Sequence, residues 1–316
     1  MRNIVKKTTL VSSLVLALSA NSMYAQSFEW ISSTEGNTWQ KSKAKLQTNA
    51  AQTPILDVNG SEEGTVFKAW GTCFNELGWD ALNMLPRKEQ ETILHKLFSP
   101  EGELRFTMGR FSMNANDYAR DWYSCDEVPG DFQLKYFNIN RDKTTLIPFI
   151  KAAQQYNPNM TFWMSPWSPP SWMKINHYYS VRSDRNQNQM SPLSDVALFE
   201  GSKEKNTKVF PQQLAVNDYF IQDPRYLQTY ANYFCKFIDA YKQQGIAISM
   251  VMFQNESWSY TNYPGCAWTA EGIIRFNTEY LAPTLKKQHP EIKLYLGTIN
   301  TNRYDVIDQV LSDPRM

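Results

Sequence analysis

Glu256 closes the run Val251-Met-Phe-Gln-Asn-Glu-Ser257, and its position is the strongest chemical signal in the sequence. A carboxylate immediately beyond a buried apolar strand serves no purpose in folding. Held at the rim of a sheet and partly dried, such a group keeps its proton more readily than a solvated one and can act as a general acid. The plainer account is a solvated Asn-Glu loop. Asn255 beside it carries an amide that can donate to a bound hydroxyl. A second polar cluster, Gly109-Arg-Phe-Ser-Met-Asn-Ala-Asn-Asp117, follows a predicted strand over Phe106 to Met108. The guanidinium of Arg110 can pin a carboxylate or a loop carbonyl, or form a salt bridge between strands, and each role places it near the same mouth. Asp117 can accept hydrogen bonds from two adjacent hydroxyls.

Aromatic residues accompany these groups. Trp163, Trp167, Trp172, Trp258 and Trp268 lie just inside or after predicted strands, with Tyr260 and Tyr263 alongside. Several sit among Ser, Pro, Asn and Gly rather than on apolar faces. Flat rings with polar edges suit stacking on the C–H faces of sugars while polar side chains meet the hydroxyls. Each ring has an equally ordinary reading as part of the core.

These residues need a scaffold, and the periodicity supplies one. Strand-like and helix-like stretches alternate: Val66 to Gly71, then a helix over Arg87 to Phe98, the strand Phe106 to Met108, and a helix over Thr144 to Tyr156. Next come a strand over Met160 to Met164 running into Ser165-Pro166, a long helix from Pro224 closed by Gly245, and the continuous apolar run Ile246 to Phe253. A strand covered on both faces reads this way. Thr269 to Lys287 is helical, Ile292 to Leu296 is a strand, and Arg303 to Leu311 is a short helix. Five strands joined by four crossover helices make a parallel α/β arrangement, whose ligands gather at the carboxyl ends of the strands. The polar, Ser/Lys-rich residues 26 to 45 read as an irregular arm, and Pro54 to Asp57 as a short strand near the turn Asn59-Gly60. The long polar connection from Met173 to Gln222 is expected to overlie the strand ends.

Composition excludes several classes. With 32 basic and 31 acidic residues among 316, the net charge is +1 and gives no field to steer nucleic acid. No GxGxxG or GxxxxGK[ST] follows a strand, and the three histidines form no HExxH, so the sequence calls for no nucleotide, metal or other cofactor. Cys73, Cys125, Cys235 and Cys266 are widely spaced and read as free, mostly buried thiols. Residues 1–25 carry Arg2, Lys6 and Lys7 before the apolar Leu10 to Ala20, the pattern of a secretory signal cut after Ala25. The expected location is therefore exported, in a periplasm, on an outer surface or outside the cell, without stable membrane insertion after cleavage.

The motifs Gly71-Thr-Cys-Phe-Asn-Glu-Leu-Gly-Trp79, Ser165-Pro-Trp-Ser-Pro-Pro-Ser-Trp-Met-Lys174 and Gln254-Asn-Glu256 resemble glycoside hydrolase family 30, as does Asp131-Phe-Gln-Leu-Lys-Tyr-Phe137. That family holds glucosylceramidase-like enzymes and β-1,6-glucanases. The resemblance implies a retaining β-glycosidase acting on a carbohydrate substrate, on a (β/α)8 TIM barrel with a β-sandwich side domain. It implies residues 26–64 as an arm and strands of that side domain and 65–316 as the barrel. Glu256 matches the acid/base, Asn255 a hydroxyl-binding asparagine, and Arg110, Asp117 and Trp167 the lining of the sugar subsite. Trp258 and Tyr260 complete the expected substrate-binding set. Ser257 stands where family members often have proline.

A full barrel needs eight βα units of roughly 30 residues, and about five can be placed here. On that spacing the family's nucleophile, a glutamate ending strand seven, has no counterpart in this chain. The resemblance thus implies an incomplete barrel of about five units, inactive by itself, from a split or misread gene, an incompletely recorded sequence, or a chain completed by a second, C-terminal polypeptide. The alternatives are a non-catalytic carbohydrate-binding module, or a hydrolase whose nucleophile is Glu76 or Asp80.

Overall fold

The computed structural model describes residues 27–45, 64–196, 217–300 and 304–316. The signal-like residues 1–25 and the strand and turn expected between Pro54 and Gly60 lie outside them. The chain divides between Val66 and Phe67 into two units.

In the first unit, β1 (Ser27–Thr34) and β2 (Asn37–Lys45) pair antiparallel, where an irregular arm was expected. Gly36 makes the reversal in the left-handed region at φ 80°, and Glu29 meets Lys41 across the strands at 2.9 Å. The described side chains here are exposed or half-exposed. No apolar face is buried, so the alternation that reveals a strand is missing from the sequence.

The second unit carries a five-stranded parallel sheet in sequence order: β3 (Gly71–Phe74), β4 (Met108–Met113), β5 (Thr161–Pro166), β6 (Ile248–Met252) and β7 (Lys293–Tyr295). Its crossovers contain α1 (Glu76–Asn83), α2 (Arg87–Phe98), α3 (Leu146–Tyr156), α4 (Pro224–Gln243), α5 (Ala270–Arg275) and α6 (Ala282–Gln288), and α7 (Asp305–Leu311) follows β7. Among the described residues no helix is long and apolar enough to cross a membrane. The short α1, capped by Asn75 accepting from Gly78 N at 2.7 Å, escaped the sequence reading.

Register separates the two faces of the sheet. Phe74, Phe111, Met164, Val251 and Leu294 form one row, and the first four are wholly buried. This row packs on the helices: Phe111 stacks on Tyr241 of α4 at 4.8 Å, and Phe74 meets Phe149 of α3 at 4.8 Å. The adjacent row of Cys73, Arg110, Trp163, Met250 and Lys293 faces the other way and is exposed or half-buried. Three expectations change. The strand expected over Val66 to Gly71 lies instead at Gly71–Phe74, because Val66, Phe67 and Trp70 are apolar in type but exposed. Arg110 lies within β4 rather than in a loop, because Arg110 and Ser112 alternate with Gly109, Phe111 and Met113 and mimic loop composition. The run at β6 is less covered than its apolarity suggested, since Met250 and Met252 are only half-buried.

The helix expected over Thr269 to Lys287 is interrupted by a π turn over Phe276–Leu281. Pro283 has no N–H for the carbonyl four residues earlier, so the ladder widens there. Asn277 Nδ2 and Thr278 Oγ1 donate to the carbonyls of Ile273 and Ile274 at 2.8 and 2.7 Å.

Candidate active site

The strand ends of β4, β5 and β6 converge on Arg110. Its terminal nitrogen donates to Ser165 Oγ at 2.9 Å and Asn255 Oδ1 at 2.6 Å. The guanidinium lies 4.8 Å from the ring centre of Trp163 and 4.4 Å from that of Trp167, so it is held between indoles as well as by hydrogen bonds. Burial weakens its hold on the proton, while Cys73, Glu256 and Asp117 act in the opposite sense.

Asn255 is fixed from three sides. Its N–H donates to Pro166 O at 2.7 Å, and its side-chain oxygen accepts from Arg110 and from Thr298 Oγ1 at 2.6 Å. With the oxygen occupied, the amide NH2 remains as a donor, and no bond from it to another described residue is found. Gln254 is buried and braces the turn: Nε2 donates to Trp167 O at 2.7 Å, and Oε1 accepts from the Trp268 indole at 3.3 Å.

Glu256 follows in the left-handed region at φ 52°, an uncommon conformation for a side chain that is neither Gly, Asn nor Asp. Its N–H donates to Thr298 O at 3.1 Å, tying the turn to the residues after β7. One carboxylate oxygen, Oε2, accepts from Ser259 Oγ at 3.1 Å and Tyr263 OH at 3.4 Å, and Asn300 Nδ2 in turn holds Ser259 Oγ at 2.7 Å. The other oxygen has no such bond among the described residues. The carboxylate is half-buried and fixed by one edge. A fixed carboxyl with one free oxygen can give a proton to, or take one from, a ligand atom.

Asp117 lies on the loop after β4, exposed as a residue but with its carboxyl turned to Arg110 and the Trp167 indole. Partial drying raises its affinity for a proton, against the loop backbone, Arg110 and Trp167. Trp167 is 7% exposed. Glu256, Asn255, Arg110, Asp117 and Trp167 thus form one cluster.

Trp258 and Tyr260 do not present themselves as expected. Trp258 is 3% exposed, packed in the core with its indole N–H unpartnered, and offers no free ring face. Tyr260 is half-buried with its hydroxyl enclosed and unpartnered; burial pushes its phenol up to about 12, with Asp195 adding and Arg182 opposing. The ring that reaches Glu256 from this loop is Tyr263, whose phenol is also pushed up to about 12 by burial and by the Glu256 carboxylate. Ser259 and Tyr263 were missed as contacts because only the folded turn brings them back onto the carboxylate. Glu76 is buried and ion-paired with Arg141 at 2.7 Å, and Asp80 is bonded by Arg120 Nε at 2.6 Å. Both are engaged in holding the segments after β3 and β4.

Residues 67–188 match the glycosyl hydrolase family 30 TIM-barrel domain. A Caenorhabditis elegans protein named as a glucosylceramidase is 28% identical over 258 residues, covering 78% of this chain and 42% of the relative. Endo-1,6-β-D-glucanase neg1 of Aspergillus fumigatus is 24% identical over 255 residues, covering 79% and 47%. Among solved structures, the endo-β1,6-glucanase BT3312 superposes with a TM-score of 0.65 at 20% identity, over 92% of this chain and 56% of that one. The chain spans about half the length of the curated relatives it matches.

Proposed function

For this chain, a member of glycosyl hydrolase family 30 with the α/β fold of the family's TIM barrels, we propose the acid/base half of a retaining β-glycosidase. The observation that carries the reading is the carboxylate of Glu256. It is clamped along Oε2 by Ser259 and Tyr263 beside the Arg110–Asn255–Trp167 cluster, with its second oxygen free. In the first step Glu256 protonates the glycosidic oxygen as the bond to the anomeric carbon breaks. A second carboxylate attacks that carbon and holds the glycosyl group, and the Glu256 carboxylate then deprotonates the water that releases the sugar. The retaining geometry needs the two carboxyl groups about 5–5.5 Å apart. Asn255 NH2 and Asp117 offer a donor and an acceptor to sugar hydroxyls, and Trp167 an apolar edge.

The attacking carboxylate is proposed to lie outside the described residues, since Glu76 and Asp80 are already paired. The 316-residue chain by itself is then expected to bind sugar without appreciable hydrolysis. β-Glucosides, β-1,6-glucan and glucosylceramide-like molecules are the proposed substrates, in keeping with the relatives' names. The signal-like residues 1–25 support action after export.

The test pairs turnover with binding. The purified chain is assayed on an aryl β-glucoside, and calorimetry follows titration with β-1,6-gluco-oligosaccharides. Saturable heat without turnover is expected. Hydrolysis at the rate of a full-length family 30 enzyme would overturn the missing-nucleophile part, and neither heat nor turnover would overturn the sugar site itself.

A further inference from the structure

Lys174, the last residue of the Ser165–Lys174 motif, is wholly buried in the loop after β5. A buried ammonium is costly unless its protons are all taken up. Its Nζ donates to the carbonyls of Tyr179 at 2.7 Å, Gly265 at 2.7 Å and Ser180 at 3.1 Å, with Ser168 Oγ at 3.4 Å. Two of the carbonyls belong to its own loop; Gly265 belongs to the loop after β6, which carries Glu256 and Tyr263. No carboxylate touches the ammonium. Its protons go to three backbone carbonyls and one hydroxyl, and desolvation draws its pKa down to about 7, with Cys266 and Glu127 opposing.

Tyr179 extends the connection to a third loop. Its carbonyl accepts from Gly265 N at 3.1 Å as well as from Lys174, and its hydroxyl donates to Glu127 Oε1 at 2.6 Å. Glu127, in the loop after β4, also accepts from Ser171 N at 2.8 Å and Ser171 Oγ at 2.6 Å. The loops after β4, β5 and β6 carry Asp117, Trp167 and Glu256 respectively. Around the junction, Val181 N and Arg182 N donate to Thr261 O, and Ser180 bridges Pro264.

We propose that Lys174, acting through Tyr179 and Gly265, is a positioning residue that sets the loop after β6 so that Tyr263 and Ser259 hold Glu256 in place. The ammonium supplies three directed donors at one point, which neither an apolar side chain nor a water-filled gap would reproduce. Its effect on chemistry would be indirect, exerted on the orientation of the Glu256 carboxylate.

The inference rests on the reading of Glu256 given above for its binding arm but not for its dynamic arm. Lys174→Met and Lys174→Gln are prepared in the full chain and studied at pH 6, below the lowered pKa of the amine. Hydrogen exchange is followed in residues 177–183 and 259–267, with β4 and β5 as internal references. Loss of a buried charge-assisted bond is expected to speed exchange in both loops by about tenfold or more while the strands keep wild-type protection.

The binding arm compares 1-deoxynojirimycin, a cation that pairs with a carboxylate, with neutral methyl β-D-glucoside. K174M is expected to lower the cation-to-neutral affinity ratio toward that of Glu256→Gln. A general loosening would instead lower both affinities alike and overturn the positioning role, as would wild-type exchange in the two loops. If K174M does not fold, Lys174→Gln, which keeps donors at this point without the charge, is read by the same two criteria. If wild-type protein binds neither sugar, the reading of Glu256 fails, and loop exchange alone decides the role of Lys174.

Discussion

Single residues in this chain hold charge where a folded interior resists it. Asp142 is fully buried and accepts from Tyr123 OH at 2.6 Å and Tyr241 OH at 2.7 Å. Desolvation pushes its carboxyl up to about 6, against the two phenols; Glu76 adds to the rise and Arg141 opposes it. Between about pH 4 and 6 the folded chain keeps a proton that the unfolded chain has released, so this group makes stability fall as pH rises through that window. Asp142→Asn removes the slope, since its amide stays neutral while accepting from one phenol and donating to the other. In urea titrations, D142N is expected to gain on wild type between pH 4 and 7. A constant difference across that range would contradict the assignment. At this scale Glu256, Asn255, Arg110 and Trp167 were legible as polar or aromatic groups next to strand ends. The contacts of Ser259 and Lys174 were not, nor was that of Tyr263 with Glu256 although the ring stood among the candidates, because local sequence does not specify the turn of chain that brings each to its partner. The orientation of Trp258 and Tyr260 was open in the sequence, because whether a ring faces a cleft or the core depends on packing.

Strands and helices were found where burial imposed a period. The helices over Arg87–Phe98 and Pro224–Gln243 have one apolar side, and it shows directly in their residues. The side chains described in the β1–β2 hairpin are exposed or half-exposed and left no such trace. Close approach of neighbouring strands is set by Gly109 in β4, where an added Cβ would meet the ring of Phe74 at 2.6 Å and that of Phe162 at 2.8 Å. Both rings are in the core and cannot retreat into solvent. Gly109→Ala is therefore expected to destabilise the second unit by about 1–3 kcal/mol through overpacking. A urea midpoint unchanged from wild type would show that β3 and β5 can separate without loss.

For the second unit as a whole, the imbalance between the two sheet faces dominates. One face is sealed by helices, whereas the row through Arg110, Trp163 and Met250 remains partly open, and β7 has no further strand beside it among the described residues. Tyr295 on that edge is 44% exposed. Open edges and apolar faces recruit other chains. The purified protein is expected to bind a hydrophobic dye in its native state and to associate with rising concentration, and Tyr295→Lys to reduce that association. Dye-free, monodisperse behaviour in light scattering at high concentration would rule this out.

What the sequence determined by itself was the class of fold, the alternation of strands and helices along the chain and the carboxylate at the end of β6. Apolar periodicity and strand-end polarity are local properties written into neighbouring residues. Tertiary structure decided which face of β4 Arg110 occupies, which tyrosine touches Glu256, and that a lysine joins the loops around it. Those outcomes depend on register, where a one-residue shift turns every side chain to the opposite face, and on how loops fold back on themselves and on one another.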